Sequence, residues 1–92
     1  GVSPMEMESV TETASDDGNP TLRVEGRNFT SFSRIFVNED ELETVFLDSS
    51  TLLAQSPGIQ DGDVITVRQV GKDHSVVGST EEYAVTEHDI MK

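Results

Sequence analysis

Two histidines, His74 and His88, are the side chains best suited to moving protons near neutral pH. His74 sits in the turn-forming run Gly71-Lys72-Asp73-His74-Ser75, and His88 lies in a polar tail. Neither stands at a recognisable motif spacing from a nucleophile, and a Ser-His-Asp arrangement is defined by geometry rather than by residue types. Both are expected as exposed surface residues, and no catalytic residue is assigned. Paired carboxylates are the second source of chemistry. Asp61 and Asp63 flank Gly62, and Asp16 and Asp17 share another loop, which is the oxygen-rich setting that calcium selects. The spacing does not reproduce an EF-hand loop, with its glycine sixth and glutamate twelfth. Turn chemistry accounts for these aspartates, because Asx side chains bond nearby backbone and glycine allows positive φ. No metal and no cofactor is expected.

Composition narrows the partners. The chain has 92 residues, with 18 acidic against 6 basic side chains and a formal net charge of -12. Such a balance repels a phosphate backbone and an anionic lipid surface, so no nucleic-acid partner is expected. No apolar run approaches the roughly 20 residues of a membrane span, and no basic-then-apolar signal pattern opens the sequence. No direct membrane insertion is expected, and the chain reads as a soluble piece of something longer. Its length allows one domain with one modest core. Cysteine is absent, so burial must hold the fold without disulfides or a thiolate-ligated zinc, and the compartment is left open.

The elements that carry these residues are short and extended. Leu22-Arg23-Val24-Glu25-Gly26-Arg27-Asn28-Phe29 alternates apolar and polar residues, breaks at Gly26, and ends in an aromatic, as does a half-buried strand closing in a tight turn. Asn28 is expected to hold that turn through its amide. Before it, Met5 to Val10 gives a weak first strand, and Asp16-Asp17-Gly18-Asn19-Pro20 is a turn. After it come Arg34 to Val37, Glu41 to Leu47, Thr51 to Gln55, Asp63 to Val70 and Glu82 to Val85, separated by turn signals. Asp61-Gly62 resembles a hairpin turn. Helix is the rival for Glu41 to Leu47, and a ubiquitin-like α/β domain, suggested by Gly58 to Val64, would need a long central helix. About seven short strands without a convincing amphipathic helix point to an all-β, immunoglobulin-like sandwich, with barrels as the alternative on periodicity alone.

Strand alternation then assigns faces. With Ile35 and Val37 turned inward, Phe36 points outward; Leu42, Thr44 and Phe46 share a face opposite Val45 and Leu47. Phe36 and Phe46 are therefore the candidate interaction surface, where an aromatic on an outer sheet face could meet a neighbouring domain or a ligand. Tyr83 is expected to face inward. With no tryptophan in the chain, the flat exposed aromatics that suit sugar rings are few.

The ordered series Gly26-Arg27-Asn28-Phe29, Ile35, Val37-Asn38, Thr51-Leu52-Leu53-Ala54, Gly62-Asp63, Ile65-Thr66-Val67 and Tyr83-Ala84-Val85 resembles the IPT/TIG family of immunoglobulin-like domains. The likeness runs from about Leu22 to Val85, with Gly26, Asn28 and Phe29 as its structural motif. It implies a non-catalytic module of a larger secreted or cell-surface protein, of bacterial type, acting as a spacer or a protein-interaction domain. The implied partners are neighbouring domains of the same chain or another protein. The alternative it implies is a carbohydrate-binding accessory module beside a polysaccharide-active enzyme. The DNA-contacting members of the family need basic loops, which this chain lacks. On this reading residues 1–20 form a first strand and linker, 21–86 the domain core, and 87–92 an exit linker.

Overall fold

A computed structural model describes residues 4–14 and 17–90. Asp16, one of the paired-carboxylate candidates, lies outside the described residues, as do parts of both expected linker regions. The described residues form nine strands: β1 Glu6–Thr13, β2 Thr21–Arg27, β3 Ser33–Val37, β4 Asp40–Glu41, β5 Thr44–Asp48, β6 Thr51–Gln55, β7 Val64–Val70, β8 Val76–Ser79 and β9 Tyr83–Ala84. Seven of these coincide with the segments expected from alternation. The two additions are β4, which is only two residues long, and β8, which falls in a stretch the sequence presents as polar connection.

One antiparallel sheet has the order β1-β2-β6-β5. The other runs β4-β3-β7-β8, with β9 continuing along β7 beyond β8. Four strands facing a central pair flanked by a split edge is the constant-type immunoglobulin arrangement, with β4 as a short extra strand. The helix considered for Glu41 to Leu47 does not form. Val45, Phe46 and Leu47 have the β-branched and aromatic content that suits a pleated surface, and β5 pairs with β6 there.

Period-two alternation builds the core. Val10, Leu22, Val24, Leu52 and Ala54 point inward from the first sheet, and Ile35, Val37, Ile65 and Val67 from the second. Leu22, Ile35, Leu52 and Ile65 are fully buried. The edge between β8 and β9 is bridged by a side chain: the Val67 amide donates to the Thr80 hydroxyl, and the Thr80 amide donates to the Val67 carbonyl. Thr80 therefore keeps the ladder satisfied where the strand breaks.

The Asp61-Gly62 turn does not close a hairpin. It lies on the connection from β6 in one sheet to β7 in the other, with Gly62 at φ 91° and its amide bonded to the Val85 carbonyl. Residues expected as an exit linker fold back onto the sandwich. A 3-10 turn at Glu87–Asp89 carries Asp89 to Tyr83, whose hydroxyl donates to the carboxylate at 2.8 Å, and Ile90 packs against the core.

Burial, then the bond to Asp89 and its charge, raise the ionisation of the Tyr83 phenol above its ordinary value. A raised value means that folding favours the neutral phenol, so the contribution is complete below the unfolded value of about 10 and is lost as pH rises through the folded value. Tyr83→Phe is expected to cost about 1 kcal/mol near neutral pH. Urea midpoints taken on either side of about pH 10 should show the native chain losing this increment while the variant does not.

Candidate functional site

Several of the groups that could do chemistry are engaged in local structure. The Ser75 hydroxyl and amide both donate to Asp73, at 2.5 and 3.1 Å, and these bonds hold the Asp73 carboxyl below its usual range. His74 between them has φ 64° and donates its amide to the Gly71 carbonyl, so the triad-like run Asp73-His74-Ser75 is a turn. His88 lies in the 3-10 turn, away from His74. Asp63 accepts from the Gln60 amide at 2.9 Å through one oxygen and from Asn38 at 3.3 Å through the other. Asn38, at φ 55°, returns the contact by accepting from the Val64 amide. Among the described residues no three acids or histidines gather in a metal-binding cluster.

Glu12 is the functional-type residue that alternation did not flag. It lies on the inward face of β1 at 8% exposure, with Leu22 opposite it across the ladder and Val10 two residues before it on the same face. Its carboxylate accepts from the Ser56 hydroxyl at 2.5 Å and from the Ile59 amide at 3.3 Å. These bonds tie β1 to the connection between the sheets, so the buried acid serves the fold. Its inward register, two residues after Val10, was the signal.

The Gly26-Asn28-Phe29 motif has a different physical role from the one its sequence suggests. Gly26 is not the turn residue. It lies inside β2 opposite Met7, where β1 has a register shift, and a Cβ placed there would fall 1.9 Å from the Glu6 carbonyl oxygen and 2.8 Å from the Phe29 ring. The absent side chain lets β1 bulge inward over the aromatic. Asn28 makes the left-handed step, at φ 65°, and its amide donates 2.8 Å to the Pro4 carbonyl at the start of β1. The Gly26 and Phe29 amides donate to Ser50 and Ser49, in the turn between β5 and β6. Phe29 is buried in the core. Three residues thus fasten the entry of β1, the end of β2 and the β5–β6 turn at one end of the sandwich.

The two aromatics of the expected interaction surface part company. Phe36 does face outward from β3, opposite Thr66, but it is only 6% exposed. The Arg68 guanidinium covers its ring at 4.2 Å and is held there by Glu39 and by the Thr66 hydroxyl. Phe36 is therefore occupied by its own chain. Phe46 is 39% exposed, and it is flanked by Val45 at 57% and Leu47 at 54%. Its register opposite Leu52 turns it toward the sandwich interior at the open edge, while Val45 pairs with Leu53 on the outer face. A groove of about 590 Å³ adjoins this strand, with Leu42, Val45, Leu53 and Ala54 as its apolar part and Glu41 and Glu43 at its side. A second exposed apolar group, Phe32, Val76 and Val77, lies on the opposite side around the β8 edge.

A model of the IPT/TIG domain matches residues 5–84. The chain belongs to the IPT/TIG family. Domains of this family are immunoglobulin-like modules that are often non-catalytic and involved in interactions. The match begins at Met5, so β1, whose sequence carries the family pattern weakly, is part of the IPT/TIG domain. No curated protein and no solved structure matches the chain.

The IPT/TIG motif gives a sharp mutational expectation. Gly26→Ala should cost about 3 kcal/mol, because the new methyl meets backbone and a buried ring. At position 28, Asn28→Gly should cost about 1 kcal/mol for the bond to Pro4, and Asn28→Ala about 1 kcal/mol more for the left-handed φ. Denaturant unfolding of the three variants measures this order, and an alanine at 28 as well tolerated as glycine would remove the role given to its backbone.

Proposed function

We propose that this IPT/TIG domain is a non-catalytic module of a larger secreted or cell-surface protein of bacterial type, serving as a spacer and protein-interaction domain. The observation that carries the reading is the path of the chain. The sandwich extends 41 Å along its long axis and 25 by 22 Å across it. Pro4 is held at the end marked by Asn28 and the β5–β6 turn, whereas Val85 lies at the other, bonded to Gly62 and Asp63. A module whose first strand starts at one end and whose last strand stops at the other can hold its neighbours apart along its length. The engagement of Asp63, Asp73, Ser75 and Glu12 in turns and inter-strand bonds supports the non-catalytic part of the proposal. Folding without cysteine suits an oxidising location as well as a reducing one.

Carbohydrate binding beside a polysaccharide-active enzyme is the second reading. Its specific support is the exposure of Phe32, at 51%, and Phe46. Tyr83, the single tyrosine, spends its hydroxyl on Asp89. Affinity electrophoresis through gels containing soluble polysaccharides separates the readings. The interaction module should migrate unretarded in every gel. Retardation that disappears in Phe46→Ala or Phe32→Ala would replace it with the sugar-binding module.

A further inference from the structure

We propose that the β5 edge and the groove beside it receive an extended basic segment of a partner protein, which joins the β1-β2-β6-β5 sheet as a fifth strand. The inference rests on the reading of the domain as an interaction module and names the surface and the chemistry of its partner.

β5 is paired on one side only, by β6, so alternate backbone N–H and C=O groups on its other side face solvent. Natural edges are blunted by lysine, proline or extreme shortness. Here Val45, Phe46 and Leu47 are consecutive, apolar and exposed. A register shift between Phe46 and Asp48 bends the end next to the turn, while Thr44 to Phe46 keep regular pairing. The neighbouring edges are better protected. β1 carries Glu6 and Glu8, both bound to Arg27, and β4 has two residues, both acidic.

Charge selects the occupant. Between Arg34 and Arg68 the chain has no lysine, arginine or histidine, but it has Glu39, Asp40, Glu41, Glu43, Asp48, Asp61 and Asp63. Glu41 and Glu43 stand at the groove, and Arg68 is committed to Glu39 and to the Phe36 ring. The apolar strip is thus set in a negative field. A second copy of the chain fits poorly. Each copy carries a net charge of -12, and two-fold antiparallel pairing of β5 centred on Val45 and Phe46 would set Glu43 of each chain against Asp48 of the other. An incoming strand with aliphatic side chains where it runs along Val45 and lysine or arginine at the end that passes Glu41 and Glu43 meets both features. Its backbone completes the ladder, its aliphatic row covers Val45 and Leu53, and its cations answer Glu41 and Glu43.

The test is an NMR titration of the isotopically labelled chain with a short end-blocked peptide that has valines at its centre and lysines at either end. Controls are the glutamate-valine peptide and two lysine-valine peptides N-methylated at one or the other set of alternate nitrogens. Amide shifts should concentrate at Leu42, at β5 and at Leu53. The glutamate peptide and one N-methylated peptide should bind at least about tenfold more weakly, as should the lysine-valine peptide to Glu41→Lys/Glu43→Lys, whose exposed substitutions leave the fold intact. The inference is overturned if shifts are absent at millimolar peptide, if they map to β8, if both N-methylated peptides bind as well as the parent, or if sedimentation shows a dimer that Val45→Lys dissociates. Shifts at β8 would remove this surface while leaving the module reading standing, whereas sugar retardation lost with Phe46 or Phe32 would remove that reading itself.

Discussion

No disulfide joins the two sheets, so their union depends on one layer of aliphatic side chains meeting face to face. Leu22, Val24 and Leu52 from one sheet meet Ile35, Ile65 and Val67 from the other, and all six are fully buried. Burial of each contributes roughly 1.5–3 kcal/mol relative to exposure, and the layer is close-packed, so its loss at any one point is felt by both sheets. Immunoglobulin domains of the antibody kind add a disulfide and a tryptophan at this place. Here neither residue type occurs, and the ends of the sandwich are fastened instead by polar contacts. The Gly26-Asn28-Phe29 cluster closes one end, and Glu12 with Ser56 and Ile59 supports the connection near the other. Such contacts suit an end, because a satisfied hydrogen bond between short side chains fixes direction where no broad apolar face remains to do so.

That division of labour explains what could be read from the sequence and what could not. The inward aliphatic layer has period two, and period two is visible in a linear chain: Leu22 and Val24, Ile35 and Val37, Ile65 and Val67 all stand in their expected registers. β8 has no such signal. Val76 and Val77 are adjacent, both are exposed, and Gly78 follows, so the strand exists because β7 offers it a free edge. Its cause is tertiary. Gly26 was legible as special but not as to why. A glycine can serve a positive φ or a close approach, and only the neighbouring strand distinguishes them. The left-handed φ went to Asn28, the residue type that tolerates it best after glycine.

The candidate surface was half legible for a related reason. Alternation sends Phe36 to the outer face, and it is there; what alternation cannot show is that Arg68, diagonal to it across the β3–β7 pair, lays its guanidinium on the ring. Thr66, which the same rule sends outward, is covered with it at 4% exposure. Phe46 was legible by composition but not by position. Its register faces the interior, yet β5 is the last strand of its sheet and the opposing sheet ends there in β4, two residues long. An inward residue beyond the reach of the opposite sheet remains open to solvent. Exposure at this edge comes from the shortness of the opposing edge strand β4, which lies in the other sheet and outside β5 itself.

The charge of the chain and the openness of its edges belong to one constraint. A sandwich has edges because its sheets do not close, and an apolar edge left bare invites a second copy of the same molecule. Two devices limit that here. Arginine covers the outer face of β3 and β7, where a guanidinium can stack and still keep its polar edge in water. At β5 no side chain folds over Val45 and Leu47, and protection falls to repulsion among acids that every copy carries. Repulsion is selective in a way that a covering arginine is not. It rejects a surface of like sign and leaves the backbone groups and apolar strip of β5 open to one of opposite sign. Salt should therefore weaken both effects together within a Debye length of about 8 Å at physiological strength, loosening the hold on a basic strand and relaxing the barrier to self-pairing at the same edge.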